Sequence, residues 1–174
     1  MEPDSIARLT AAMAAYDAGD ARRILHFLHV HAEAAAIGRI EGLDAETQQV
    51  LEAAALLHDI GIHKAEQLYS STDGKLQERL GPPEARQLLA WVGGFSEQET
   101  ERICFLIAHH HTYDNIDAPD YQILVEADLL VNFREDGVSA AAARQVGERI
   151  FRTETGKRLL RERYLCEEPT DPNE

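Results

Sequence analysis

His26, the doublet His58-Asp59 and, much further along the chain, Asp128 are the residues whose types and spacing could do chemistry. Two imidazoles and two carboxylates, delivered from separate helices, suffice to hold a divalent ion. Each has an ordinary alternative. His26 lies in the apolar stretch ILHFLHVHAEAAAIG, where a half-buried helix histidine needs no ligand; Arg22 shares its face, and His29 and His31 cannot both do so. Asp59 follows the apolar run Ala53–Leu57, where an unpaired carboxylate would cost several kcal/mol to desolvate unless the helix ends and it reaches water. Asp128 sits in YQILVEADLLVNF with Leu124, Val125, Val131 and Asn132 on its face, so it wants a cation. Glu126 in the same helix has equally apolar neighbours in Ile123, Leu129 and Leu130, and the residue pattern does not choose between the two. The run His109-His110-His111 adds imidazoles; consecutive helical residues point ~100° apart, so at most two can face one pocket. A histidine-rich helix end that complements the helix dipole is the plain alternative there.

These residues need helices to position them. Asp20 is a plausible N-cap for a helix running to about Glu41, with Gly42 as its stop. Asp44 caps the next, which ends near Asp59 before Gly61. Ser96 with Glu99 forms a capping box for a helix to about His111. Further helices are expected over 5–18, 119–134, 138–151 and 155–164. Residues 62–81 look irregular, with YSSTDGK as turn chemistry and GPP as a breaker, after which Pro82 or Pro83 opens a helix to about Val92. No strand with period-two alternation is found, so the class is all-α.

The whole chain bounds the rest. Its 174 residues favour one domain over 1–165, followed by an acidic, Pro-containing tail, 166–174, expected to be disordered. A formal charge of -14 argues against a long nucleic acid as partner, but a small anionic substrate stays compatible if a metal supplies local positive charge. Two cysteines, Cys104 and Cys166, are too few for a disulfide scaffold and fit a reducing cytosol. With no apolar run near the ~18 residues of a membrane helix and no secretory pattern at the start, the expectation is a soluble cytoplasmic protein that does not engage membranes.

The segments RRILHFLHVHAEAAAIGRIEGLD, LEAAALLHDIG and HHHTYDNIDAPDYQILVEADLLVN resemble the HD superfamily of metal-dependent phosphohydrolases over roughly residues 20–135. The resemblance implies an HD-domain helical bundle with a five-helix core plus peripheral helices. It implies His26, His58, Asp59 and Asp128 as ligands of a divalent transition metal (Mn, Fe, Co, Ni or Zn). Asp59, His109 and His110 are then the catalytic candidates, and Arg22 and Lys64 the substrate-binding ones. Dinuclear members carry a histidine where this chain reads QERLGPPEAR; Glu78 is the nearest substitute, so a second ion would draw on Glu78, His109 and His110, and one ion is favoured. The implied substrate is a small phosphorylated metabolite, best a nucleotide, and a homodimer is an admissible assembly. A cyclic-di-nucleotide hydrolase is disfavoured, because Ile62-His63 follows the doublet and NIDAPD lacks the GYP segment. The alternatives are a non-catalytic nucleotide-binding regulatory module and, further off, a di-iron oxygenase.

Overall fold

The computed structural model describes residues 4–165. Its helices are α1 (Ser5–Tyr16), α2 (Ala21–Glu41), α3 (Ala45–Leu57), α4 (Ile62–Tyr69), α5 (Gly74–Val92), α6 (Glu97–Ile107), α7 (Pro119–Glu135), α8 (Ala140–Ile150) and α9 (Glu154–Leu160), closed by a wider π-type turn at Arg161–Leu165. No strand occurs among the described residues, and the fold is an all-α helical bundle. None of the described helices is long and apolar enough to cross a membrane. The acidic tail lies outside the described residues.

Local chemistry explains most boundaries. The Asp20 carboxylate accepts from Arg23 N–H, and α2 stops at Gly42, whose φ of 81° is left-handed and free of Cβ strain only for glycine. Asp44 accepts from Thr47 N–H to start α3, and both bonds of the Ser96–Glu99 capping box are made at α6. The central element is α3, in which Val50, Leu51 and every residue from Ala53 to Leu57 are buried. Burial of Leu51, Leu56 and Leu57 stabilises by about 1.5–3 kcal/mol each. The alanines keep α3 thin, so α2, α6 and α7 all pack on it; α5 joins through α6 and completes the five-helix core. α1 also packs on α3 and buries Leu9 and Met13 in the same core, and α4, α8 and α9 lie around it.

Residues 62–81 correct the expectation of an irregular segment. They hold α4 and the first part of α5, and neither Pro82 nor Pro83 opens a helix: both lie inside α5, which starts at the N-cap Asp73. Interior prolines remove backbone donors, a cost that tertiary packing outweighs here. The turn after His58-Asp59 lies directly on this part of α5: a Cβ placed on Gly61 would meet Gln77 O and Gly81 N at 2.7 Å. Gly61 therefore lets the HD turn and α5 touch backbone to backbone. The second correction is that α6 ends at Ile107, so all three of His109, His110 and His111 lie in the turn beyond it.

Candidate metal centre

Four elements meet at one point. His26 comes from the second turn of α2, His58 and Asp59 from the end of α3, Asp128 from the middle of α7, and His110 from the turn after α6. His26 Nε2 lies 3.1 Å from His58 Nε2, 3.4 Å from Asp128 Oδ1 and 3.6 Å from Asp59 Oδ2. His58 Nε2 lies 3.5 Å from both of those carboxylate oxygens. An ion with bonds of ~2.1 Å holds neighbouring donors about 3.0 Å apart in an octahedron and about 3.4 Å apart in a tetrahedron. His26, His58 and Asp59 are thus spaced as ligands of one ion could be, and Asp128 Oδ1 lies within 3.5 Å of both imidazoles.

The ring tautomers agree with that use. His58 Nδ1–H donates to Ala55 O at 2.8 Å, and His110 Nδ1–H donates to Ile107 O at 2.8 Å. His26 Nδ1–H donates to Glu135 Oε2 at 3.0 Å. Carbonyl and carboxylate oxygens only accept, so each ring carries its proton on Nδ1 and, when neutral, turns the Nε2 lone pair inward. His110 Nε2 lies 3.5 Å from Asp59 Oδ1, is buried and has no hydrogen-bond partner. Fully buried polar atoms without partners are rare and call for a ligand.

Electrostatics show what the centre lacks without a cation. Burial opposes ionisation of Asp128, yet hydrogen bonds from His26 and His58 hold its carboxyl well below the usual range. Burial likewise opposes charge on Asp59, and His58 and His110 pull it down. Burial disfavours protonated His58, but Asp59 and Asp128 outweigh it and push the imidazole up to about 9. His26 is raised as well: Asp128 and Asp59 overcome its desolvation and the repulsion of His58. Protons on the histidines neutralise the two carboxylates, which is the task a divalent ion would take over.

Other buried acids divide from these by their partners. Glu126, which the sequence left level with Asp128, accepts from Gln122 Nε2, Arg152 N, Thr153 N and Thr153 Oγ1; all its partners are protein donors. Glu78 does not reach the centre. Its Oε1 accepts from His111 N and Thr112 Oγ1 and its Oε2 from Lys75, so it anchors the histidine turn to α5. Lys64 is likewise turned away and pairs with Glu84 at 2.7 Å. His109 is set apart too: its Nδ1 donates to Phe105 O and its ring packs on Phe105 at 4.3 Å. The early end of α6 rotates the turn so that His110 and His111, rather than His109 and His110, face Asp59. Ligand atoms of Asp59, His110 and His111 lie within 4.8 Å of one another, as do those of His26, His58 and Asp59. Burial, then the neighbouring His110, pushes the His111 imidazole down to about 4, so it is neutral at ordinary pH.

A cavity of about 370 Å³ opens beside the centre, with Arg22, Arg23, His26, Asp59, Asn132 and Glu135 in its wall. Arg23 is engaged by Asp20, Glu66 and His63. Arg22 lines the cavity and forms no ion pair with a described residue. Two residues that sequence reasoning did not single out support the ligands from α7: Asn132 Nδ2 donates to Asp128 Oδ1 at 2.9 Å, and Glu135 holds His26. Asp128, Asn132 and Glu135 recur at four- and three-residue spacing, which is one stripe of a helix and was the only available signal.

Comparison with known proteins agrees with this geometry. A crystal structure of a predicted HD superfamily hydrolase from an uncultured Thermotogales bacterium superposes with a TM-score of 0.61 at 29% sequence identity, over 92% of this chain and 83% of that one. No family model and no curated protein matches the chain. Fold, side-chain cluster and this neighbour together define a metal-dependent hydrolase. In fold and in its His/Asp cluster the chain is similar to the HD superfamily hydrolases.

Proposed function

We propose that the protein hydrolyses a small phosphate ester, best a nucleotide, with one divalent transition metal held by His26, His58, Asp59 and Asp128. The observation that carries this reading is the convergence of two imidazoles whose Nε2 atoms face inward with the buried Asp128 and part-buried Asp59 carboxylates beside a cavity. That cavity, at about 370 Å³, is of a size to take a small metabolite. A divalent ion there supplies positive charge for the phosphoryl group and makes water more acidic. The residues do the rest. Asp59 is less buried than Asp128 and faces the cavity, so it is placed to orient a water and accept its proton. Arg22, uncommitted in the cavity wall, complements the negative charge of the phosphate. His110, with its unpartnered Nε2, takes the role the sequence gave jointly to His109 and His110.

That same atom favours a second reading of its role, a further ion shared by Asp59, His110 and His111 in place of the set with Glu78. Metal equivalents bound by wild type and His110→Ala separate the two. Loss of one of two equivalents supports the second ion; unchanged content with depressed turnover supports phosphate binding. The function itself is tested by assaying purified protein against phosphorylated metabolites with Mn, Co and Ni. Metal-dependent release of phosphate or pyrophosphate is expected. Absence of hydrolysis across nucleotides and sugar phosphates, with metal verified as bound, would contradict the proposal and favour a binding module.

A further inference from the structure

We infer that Glu135 is a positioning residue that sets the metal affinity of the centre through His26. The inference rests on the metal reading above and goes beyond its ligands. The three inward imidazoles are fixed in two different ways. His58 and His110 each sit past the last residue of a helix and donate Nδ1–H to the carbonyl three residues earlier. Those carbonyls come with the local backbone, so these two rings are oriented wherever the turn forms.

His26 lies inside α2 and is not held in this way. Its Nδ1–H goes instead to Glu135 Oε2, 3.0 Å away on a different helix and 109 residues along the chain. A carboxylate accepts this bond more strongly than a carbonyl and makes the opposite nitrogen a better donor to a cation. The Glu135 side chain is about 20% exposed, and its nearest other partner, Arg134 Nη2, is 3.6 Å from the other oxygen, so its charge is available to the imidazole.

The position is also costly for a purely structural acid. Glu135 is the last residue of α7, where the helix dipole disfavours negative charge. A glutamate there, aimed at a histidine that faces two carboxylates, adds negative charge to an already acidic centre. That arrangement stabilises a bound cation more than it stabilises the empty fold.

The test uses metal-stripped full-length wild type, Glu135→Gln, Glu135→Ala and Asp128→Ala, with Glu66→Gln as a charge control that lines the same cavity without touching His26. Co²⁺ is titrated against a chromophoric chelator, and thermal melting of each metal-free protein is recorded. Glu135→Ala should weaken Co²⁺ binding about 10- to 100-fold. Glu135→Gln, whose amide oxygen still accepts from Nδ1–H but carries no charge, should fall between it and wild type, and Glu66→Gln should stay within about twofold. Wild-type affinity in Glu135→Ala overturns the inference, as does an equal loss in Glu66→Gln and Glu135→Gln, which would mark a general field. Should Glu135→Ala fail to fold, Glu135→Gln decides alone, and wild-type affinity there overturns the inference. Binding by wild type that is abolished in Asp128→Ala shows that the metal reading stands whatever Glu135 does; no binding by wild type would fell both.

Discussion

Glu126 and Asp128 lie two residues apart on α7, and both carboxylates are buried, at 0% and 3% exposure. Glu126 is enclosed by donors: the Gln122 amide, two backbone N–H groups of the α8–α9 connection and the Thr153 hydroxyl. It staples α7 to that connection. Asp128 receives one protein amide, from Asn132, and otherwise faces two imidazoles whose lone pairs point at the same spot when neutral. A buried acid on an apolar helix is therefore weak evidence for a metal. The partner inventory separates a structural carboxylate from one that awaits a cation.

The largest effect that sharpens this contrast is on activity. Asp128→Ala or Asp59→Asn should lower hydrolysis by about 100-fold or more, since a ligand or the water-orienting base is removed. Glu126→Ala should leave metal content and turnover per folded molecule unchanged. Equal activity in Asp128→Ala and wild type would erase the distinction.

Stability should respond in the reverse order. Glu126→Ala leaves several buried donors unpaired and should cost about 2–4 kcal/mol, read by denaturant unfolding. Asp128→Ala, measured metal-free, should cost less, because it also removes a desolvated charge. In wild type the metal returns stability by mass action, about 2.7 kcal/mol at a hundredfold excess over Kd, so chelation should lower the melting temperature. Asp128→Ala should melt alike with and without chelator.

Much of this was legible in the sequence. Asp20, Asp44, Gly42 and the Ser96–Glu99 box end or begin helices where their chemistry says they should, and the HD resemblance gathers His26, His58, Asp59 and Asp128. What was not legible depends on packing between distant elements. α5 runs through Pro82 and Pro83, and Gly61 lets the turn after the doublet touch it backbone to backbone, neither of which a local rule reports. The choice of His110 and His111 over His109 depends on α6 stopping at Ile107, a shift of a few residues that turns every side chain after it. Glu135 acquires meaning only when α2 docks on α7.

A smaller effect concerns pH in the metal-free protein. His58 has a folded value of about 9 against an ordinary 6.5, so its contribution to stability is fully present below 6.5 and is lost as pH rises through 9. The melting temperature of chelated protein should therefore fall across that window, while metal affinity rises as protons stop competing. Parallel trends for the two would contradict a shared site. The smallest expected effect is that of His109→Ala, which should change turnover less than His110→Ala does, because its ring packs on Phe105 and faces away from Asp59.

The most direct test of the central claim is anomalous scattering from crystals grown with Mn²⁺. One strong peak is predicted at ~2.0–2.3 Å from His26 Nε2, His58 Nε2, Asp59 and Asp128. No ordered peak among these side chains at saturating Mn²⁺, or a peak held by other residues, would contradict the account.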